Sequence, residues 1–474
     1  MTATHVGSGY RLGFTTLRNE TIVDDLPVTG ELPPWLTGTL VRNGPADFDG
    51  GRRPFRHWFD GQAMLHRFSF AEGRVGYANA FLDTPSLRSL RDRGRIGYSE
   101  FATDPCAGLF GRFFSRFHRH GTPNNAVNVA ELDGEPFALG EVPVRVWFDR
   151  DTLRTVGVEG YDDALDGALT TAHPHLDRSS GDLVNFVLKF SRSSEFCVYR
   201  QSGSHGARRL VGKVATERPG YMHSFGITTN YVVLAMYPLV VNPLSFLIKG
   251  RPFIENYRWT PELGTVFHVL RLSDGELVGS YRTEPCFAFH HINAREEDGA
   301  LLVDLCAFSD AKIIDALYLD RLRGEQRVPR GIPTRFRIDL AGGSVEQRPL
   351  STASLELPRI DYRRNGLAYR YAFGVGSRDE ADDDFLNQLV RVDVESGDTA
   401  YWSQPGCYPG EPVFVAEPGT EDEDRGVLLS VVLDAEAGHS MLVILDAGTF
   451  TELARAEVPH VVPFGFHGQF SSAH

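Results

Sequence analysis

The sequence predicts an all-β fold, a seven-bladed β-propeller, and three observations carry that prediction. Apolar segments are short and rich in β-branched and aromatic residues, as in "LVNFVLKF" (183–190), "ALLVDLCAF" (300–308) and "GVLLSVVLD" (426–434). Helical periodicity is nearly absent. A unit of strand, polar turn and strand recurs seven times along the 474 residues.

In chain order the units are "RFSFAEGRVGYANAF" (67–81), "VWFDRDTLRTVG" (146–157), "FCVYRQSGSHGARRLVGKV" (196–214) and "FHVLRLSDGELVGS" (267–280). They continue with "RFRIDLAGGSVEQR" (335–348), "QLVRVDVESGDTAYW" (388–402) and "LVILDAGTFTELARAEV" (442–458). Each turn is built of Asp, Gly, Ser or Thr, which tolerate the backbone a tight reversal needs. Hairpins recurring every roughly 50 to 80 residues without helical crossovers suit radial repetition of antiparallel sheets. Two unrelated β-sandwiches would need a linker, and no composition break or Pro/Ser-rich stretch supplies one. Residues 1–474 are therefore expected to form a single propeller domain, with segments inserted between strands. The ending "PFGFHGQF" (463–470) fits closure of such a ring, since a terminal strand tied into a blade would turn His467 towards the axis.

The bulk numbers narrow the function. A net charge of −14, from 62 acidic residues against 48 Lys plus Arg, excludes a nucleic-acid partner, whose phosphates require a basic field. Hydrophobic content is 42%, and 32 Phe are material for lining something apolar. Cys106, Cys197, Cys286, Cys306 and Cys407 are odd in number, widely spaced and free of any CxxC pair, which indicates neither a disulfide framework nor a thiolate metal site. The N-terminal "MTATHVGSGYRLGF" lacks a basic flank followed by an apolar core, and the apolar run 231–248 is broken by Pro238, Asn242 and Pro243. A cytoplasmic protein is expected.

Four histidines stand in apolar strand or turn contexts: His173 in "LTTAHPHLD", His223 in "GYMHSFGITTNYVVL", His290 in "CFAFHHINA" and His467. Singly each reads as a buried structural histidine. Together on inner strands that converge on one axis, their imidazoles can meet and hold a borderline first-row ion such as Fe, Cu, Ni or Zn. A ligating imidazole needs its second ring N–H held, usually by a carboxylate. Glu141 in "FALGEVPV", Glu356 in "ASLELPRI" and Glu411 in "YPGEPVFV" each interrupt an apolar run and are candidates for that task. For any one of them, pairing with an arginine at a strand edge is an equally good account.

The segments "LVRNGPADF", "HWFDGQAMLHRFSF", "TAHPHLD", "MHSFGITTNY", "FHHINAREEDG", "YPGEPVF" and "PFGFHGQF" together resemble the carotenoid cleavage oxygenase family, in order from about Gly30 to Phe470. The resemblance implies a seven-bladed propeller capped by loops and short helices, with a non-haem Fe2+ on its axis held by His173, His223, His290 and His467. It places the glutamates behind them at Glu141, Glu356 and Glu411, and leaves His175 and His291 outside the pattern. It further implies O2-dependent cleavage of a carotenoid or apocarotenoid C=C bond to aldehydes, with the branch that cleaves β-carotene centrally and its retinoid-isomerase relative looking closest. Stilbene-cleaving members usually carry a Lys just before the glutamate matched by Glu141, and this chain has Gly140. Stilbenoid cleavage and retinyl-ester isomerohydrolysis remain the alternative activities.

A lipid-borne substrate also needs a route to the protein. In "CAGLFGRFFSRFHRH" (106–120), Leu109, Phe110, Phe113, Phe114 and Phe117 fall on one helical face and Arg112, Arg116 and Arg119 on the other. That pattern predicts a basic amphipathic helix at a membrane interface, with the apolar loop "PLVVNPLSFLIKGRPF" (238–253) beside it.

Overall fold

The structure, a computed structural model, describes residues 9–104, 123–248, 251–324, 327–378 and 385–472. The expected hairpins are all present; five supply the two outermost strands of their blade, and in the first and last blades one short strand adds outside the hairpin. Seven antiparallel sheets of four or more strands follow one another around an axis.

Blade one contains Gly38–Asp47, Gln62–Ala71 and Arg74–Phe81, with Ile22–Val23 outside. Its innermost strand is Gly468–Ser472, paired antiparallel to Gly38–Asp47. Blades two to six each run outward in chain order, beginning on the inside with Asn128–Leu132, with the pair Leu169–Thr170 and His175–Leu176, and with Gly226–Ile227, Phe287–Glu297 and Glu356–Arg359 respectively. Blade seven begins with Cys407–Pro409 and Val413–Ala416 and ends with Val28–Gly30 as its outermost strand, paired with Glu452–Glu457. The ring is thus closed twice, on the inside of blade one by a late strand and on the outside of blade seven by an early one.

Every blade is buried on both faces, which is why its middle strands are nearly continuous runs of apolar residues. Apolar clusters fill the junctions between neighbouring blades. Leu65, Ala138 and Val146 pack between blades one and two, Val198, Phe225 and Leu234 between three and four, and Leu429, Phe68 and Ile444 between seven and one. Three insertions gather over one end of the ring. The helix Pro85–Arg93 precedes blade two, begins at the cap Thr84 with Pro85 in its first turn, and ends at left-handed Gly94. A hairpin of Leu239–Val240 and Arg258–Trp259 with the short helix Leu244–Ile248 interrupts blade four, and the helices Lys312–Ala316 and Leu319–Leu322 interrupt blade five. These segments join the largest apolar cluster, which carries Trp58, Phe287, Phe289, Phe385, Phe464 and Phe466.

The segment 106–120 lies outside the described residues. In the loop 238–253, Leu244 is 60% exposed, but Phe246 stacks on Phe253 with ring centroids 5.7 Å apart. Part of that loop's apolar content is therefore spent on packing within the loop itself. No helix among the described residues is long and apolar enough to cross a membrane. Cys197, Cys286, Cys306 and Cys407 are buried free thiols, and Cys106 lies outside the described residues.

Candidate metal centre

Four of the seven inner strands deliver one imidazole each to the axis, and each does so through a local irregularity. His173 stands in the gap that splits the inner strand of blade three, where Pro174 holds it extended and Thr171 Oγ1 accepts its backbone N–H at 3.0 Å. The same Thr171 hydroxyl donates to the carbonyl of His223, tying blade three to blade four. His223 stands three residues before the short strand Gly226–Ile227. His290 sits on a register shift between Ala288 and His291, a bulge that re-aims the side chain. His467 precedes the closing strand, and its carbonyl accepts the N–H of Asn43 at 2.8 Å. The glycines around His467 allow the approach: a Cβ on Gly465 would meet the Asn43 carbonyl oxygen at 2.9 Å, and one on Gly468 would meet Val41 O at 2.6 Å.

The four rings present their Nε2 atoms to one point. Nε2 of His173 lies 3.0 Å from that of His223, and Nε2 of His290 lies 3.2 Å from that of His467. All four ligand atoms fall within 4.8 Å of one another. Nitrogens that share a first-row ion at about 2.1 Å are separated by roughly 3.0–3.4 Å, so the spacing fits such an ion. The donor set is four imidazoles with no carboxylate or thiolate. Burial, then the neighbouring imidazoles, holds His173 well below the usual histidine range, and burial takes His467 down to about 3 despite Glu411. Both therefore present neutral rings.

The three remaining blades supply the carboxylates. Glu141, in the turn of blade two after Glu135–Leu139, reaches Nδ1 of His223 at 2.6 Å and also accepts the Tyr221 hydroxyl at 2.7 Å. Glu356 opens the inner strand of blade six and lies 2.6 Å from Nδ1 of His290. Leu357, next in sequence, has φ of 47°, a left-handed kink that accompanies the register shift between Glu356 and Arg359. Glu411 of blade seven lies 2.7 Å from Nδ1 of His467. All seven sequence-predicted residues thus meet at the axis, one from each blade.

Sequence reasoning missed the cations behind Glu411. Arg42 pairs with its Oε2, Arg359 lies 3.6 Å from Oε1, and Gly468 donates its N–H at 3.0 Å. Burial alone would raise the Glu411 carboxyl, but Arg359, His467 and Arg42 hold it down to about 2. An arginine inside the apolar "TLVRNGP" was the available signal. His175 and His291 are used elsewhere: His175 contacts Asn365 and the Phe225 carbonyl, and His291 contacts Ser224 Oγ at 2.8 Å.

A cavity of about 260 Å³ lies under the cap and reaches His223, His290 and His467. Its walls include Trp58, Phe59, Phe101, Phe289 and Phe466. The Phe59 ring lies parallel to His223 at 6.4 Å, and Phe466 is packed edge-on against Phe59 at 5.2 Å. Gly140 also lines this space, where an added Cβ would come within 3.2 Å of Asn125.

A closed propeller with a carboxylate-backed cluster of four imidazoles on its axis defines the class: a β-propeller whose axial histidines could hold a metal, with an apolar chamber above them. Residues 14–472 match the family described as retinal pigment epithelial membrane protein, and the chain belongs to this family of carotenoid cleavage oxygenases. It is 35% identical over 512 aligned positions to the mitochondrial carotenoid-cleaving dioxygenase of Macaca fascicularis, covering 94% of this chain and 91% of that one. It is 36% identical to the carotenoid isomerooxygenase of Galleria mellonella, with coverage of 94% and 92%. Among solved structures, a glutamate-to-glutamine variant of Synechocystis apocarotenoid oxygenase superposes with a TM-score of 0.87 at 27% identity, covering 98% of both chains. The cobalt-substituted form of that oxygenase matches with the same TM-score of 0.87.

Proposed function

We propose that the protein is an Fe2+-dependent dioxygenase that cleaves one C=C bond of a carotenoid or apocarotenoid with O2. The observation that carries this reading is the convergence of four imidazoles beside an aromatic cavity that reaches three of them, in a chain whose relatives are named carotenoid-cleaving oxygenases. The overall reaction balances as one alkene and one O2 giving two carbonyl products.

His173, His223, His290 and His467 would hold the ion through Nε2, and Glu141, Glu356 and Glu411 would fix three of those rings through Nδ1. Imidazole ligands carry no negative charge and would leave an ion its full positive charge, and a set without thiolate favours a borderline first-row metal. When bound, Fe2+ supplies the redox chemistry with dioxygen that a side chain cannot. The polyene has no ligand atom of its own, so Trp58, Phe59, Phe289 and Phe466 must place it by packing and by excluding water. Gly140 offers no cation for a phenolate, which favours a polyene over a stilbenoid. The sequence pattern of 106–120, together with exposed Leu244, supports peripheral contact with a membrane surface.

The test is product analysis by mass spectrometry after incubation of the iron-loaded protein with a carotenoid in air and under nitrogen. Two aldehydes in air and none under nitrogen support the reading. Turnover of a retinyl ester that persists without oxygen would replace it with isomerohydrolysis.

A further inference from the structure

Among the described residues the cavity wall carries one carboxyl that the centre does not use. Glu100 lines the cavity and is nine-tenths buried. It belongs to a turn in which its N–H donates to the Thr103 carbonyl at 2.8 Å. The next residue, Phe101, packs its ring 5.1 Å from Phe59, which in turn lies over His223. Glu100 thus lines the same cavity that reaches His223, His290 and His467, next in sequence to a ring that packs through Phe59 towards the centre.

A second carboxyl, Asp60, is buried behind it, and the two are treated very differently. Asp60 accepts the N–H of His57 at 3.0 Å, the N–H of Ala102 at 2.9 Å and the Thr103 hydroxyl at 2.6 Å. Glu100 accepts only the Ser86 hydroxyl, at 3.0 Å on Oε1. Its Oε2 has no partner among the described residues. Two buried carboxyls side by side cannot both ionise, and the one better supplied with donors keeps the charge. Burial raises Asp60 to about 6, while burial and then the Asp60 charge push Glu100 well above the carboxylate range. Around neutral pH Asp60 is the anion and Glu100 the acid.

We infer that Glu100 is a neutral carboxylic acid whose free oxygen donates a hydrogen bond to an acceptor oxygen at the end of the substrate. This makes the chamber selective for an oxygen-ended polyene, an apocarotenal, over a hydrocarbon carotenoid. The inference rests on the polyene reading of the cavity and narrows it. An apolar chamber holds the hydrocarbon part of either substrate equally well. A buried donor that only the aldehyde can satisfy separates them, because the hydrocarbon would leave that donor unpaired.

The experiment compares the iron-loaded wild type with Glu100→Gln, which keeps a donor, and Glu100→Leu, which removes it. Under nitrogen, each is titrated with an apocarotenal and with β-carotene, and the absorption spectrum of the bound pigment is recorded. In air, kcat/KM is measured for both. Donation to the carbonyl oxygen shifts the aldehyde's absorption to longer wavelength in the wild type and in Glu100→Gln, and the shift is absent in Glu100→Leu. The aldehyde-to-hydrocarbon ratio of kcat/KM falls about tenfold in Glu100→Leu, as expected for one lost hydrogen bond, and is largely restored in Glu100→Gln. The same spectrum in all three proteins, or an unchanged selectivity ratio in Glu100→Leu, overturns the role of Glu100 while leaving the cleavage reading intact. A wild type that binds neither pigment overturns both.

Discussion

Glu411 and His467 form the most enclosed of the three carboxylate–imidazole pairs, with Oε1 2.7 Å from Nδ1 and no measurable exposure of the Glu411 side chain. Arg42 and Arg359 close around the same carboxylate, so it neutralises buried guanidinium charge as well as orienting a ring.

Changing Glu141 or Glu356 to Gln is expected to lower iron affinity or activity by about 10–100-fold, the usual effect of a group that orients a ligand. Glu411→Gln is expected to add a loss of fold stability of about 3–5 kcal/mol, since it leaves two buried guanidinium groups uncompensated. Urea unfolding of the three variants checks this. Equal stability in all three would mean that Arg42 and Arg359 find other partners.

Replacing His173, His223, His290 or His467 by Ala is expected to remove most of the bound iron and the activity while far-ultraviolet circular dichroism still reports a β protein. Iron content by elemental analysis is the measurement, and a full equivalent retained in any variant removes that histidine from the set. Stripping the wild type with a chelator is expected to abolish cleavage, and adding back Fe2+ to restore it.

Acid is expected to destabilise the protein from about pH 6.5 downward through His57 and His66, both lowered from 6.5 to about 3, chiefly by burial. His57 shows why: Nε2 contacts the Ile314 carbonyl at 3.0 Å and Nδ1 accepts the Phe59 N–H at 3.2 Å, so a second ring proton has no acceptor. With the folded pKa depressed, the folded state binds fewer protons than the unfolded chain between pH 6.5 and 3. Stability is fully present above that window and is lost as pH falls through it, by up to about 1.4 kcal/mol per pH unit for each histidine. Thermal melts at stepped pH read the slope, and His57→Gln is expected to flatten it.

Liposomes containing acidic lipid are expected to bind the protein peripherally, with release by salt or detergent. Changing Phe113, Phe114 and Phe117 together to Ser is expected to weaken flotation without loss of iron. A wild type that stays in the supernatant, or a triple variant that floats equally well, sinks the docking surface.

The blades were legible because their outer hairpins are local: strand, turn and strand follow within twenty residues, and alternation survives in the text. The inner strands were less so. That of blade three is two dipeptide strands on either side of His173, too short to leave a pattern, and it exists because its neighbour Leu183–Lys189 pairs with both pieces. The seven axial residues could be named because each breaks an apolar run. Arg42, Arg359 and the pair of Asp60 and Glu100 could not be assigned, since their meaning lies in partners brought together only by the ring.

Ring closure also sets when the centre can exist. His173, His223 and His290 come from three consecutive blades, whereas His467 lies 177 positions beyond His290 and arrives only when Gly468–Ser472 zips onto blade one. A chain folded through blade five can offer three imidazoles and no more. Capture of an ion by all four imidazoles would therefore be coupled to completion of the circle, and a bound metal would act as a late clasp that rewards only the finished topology.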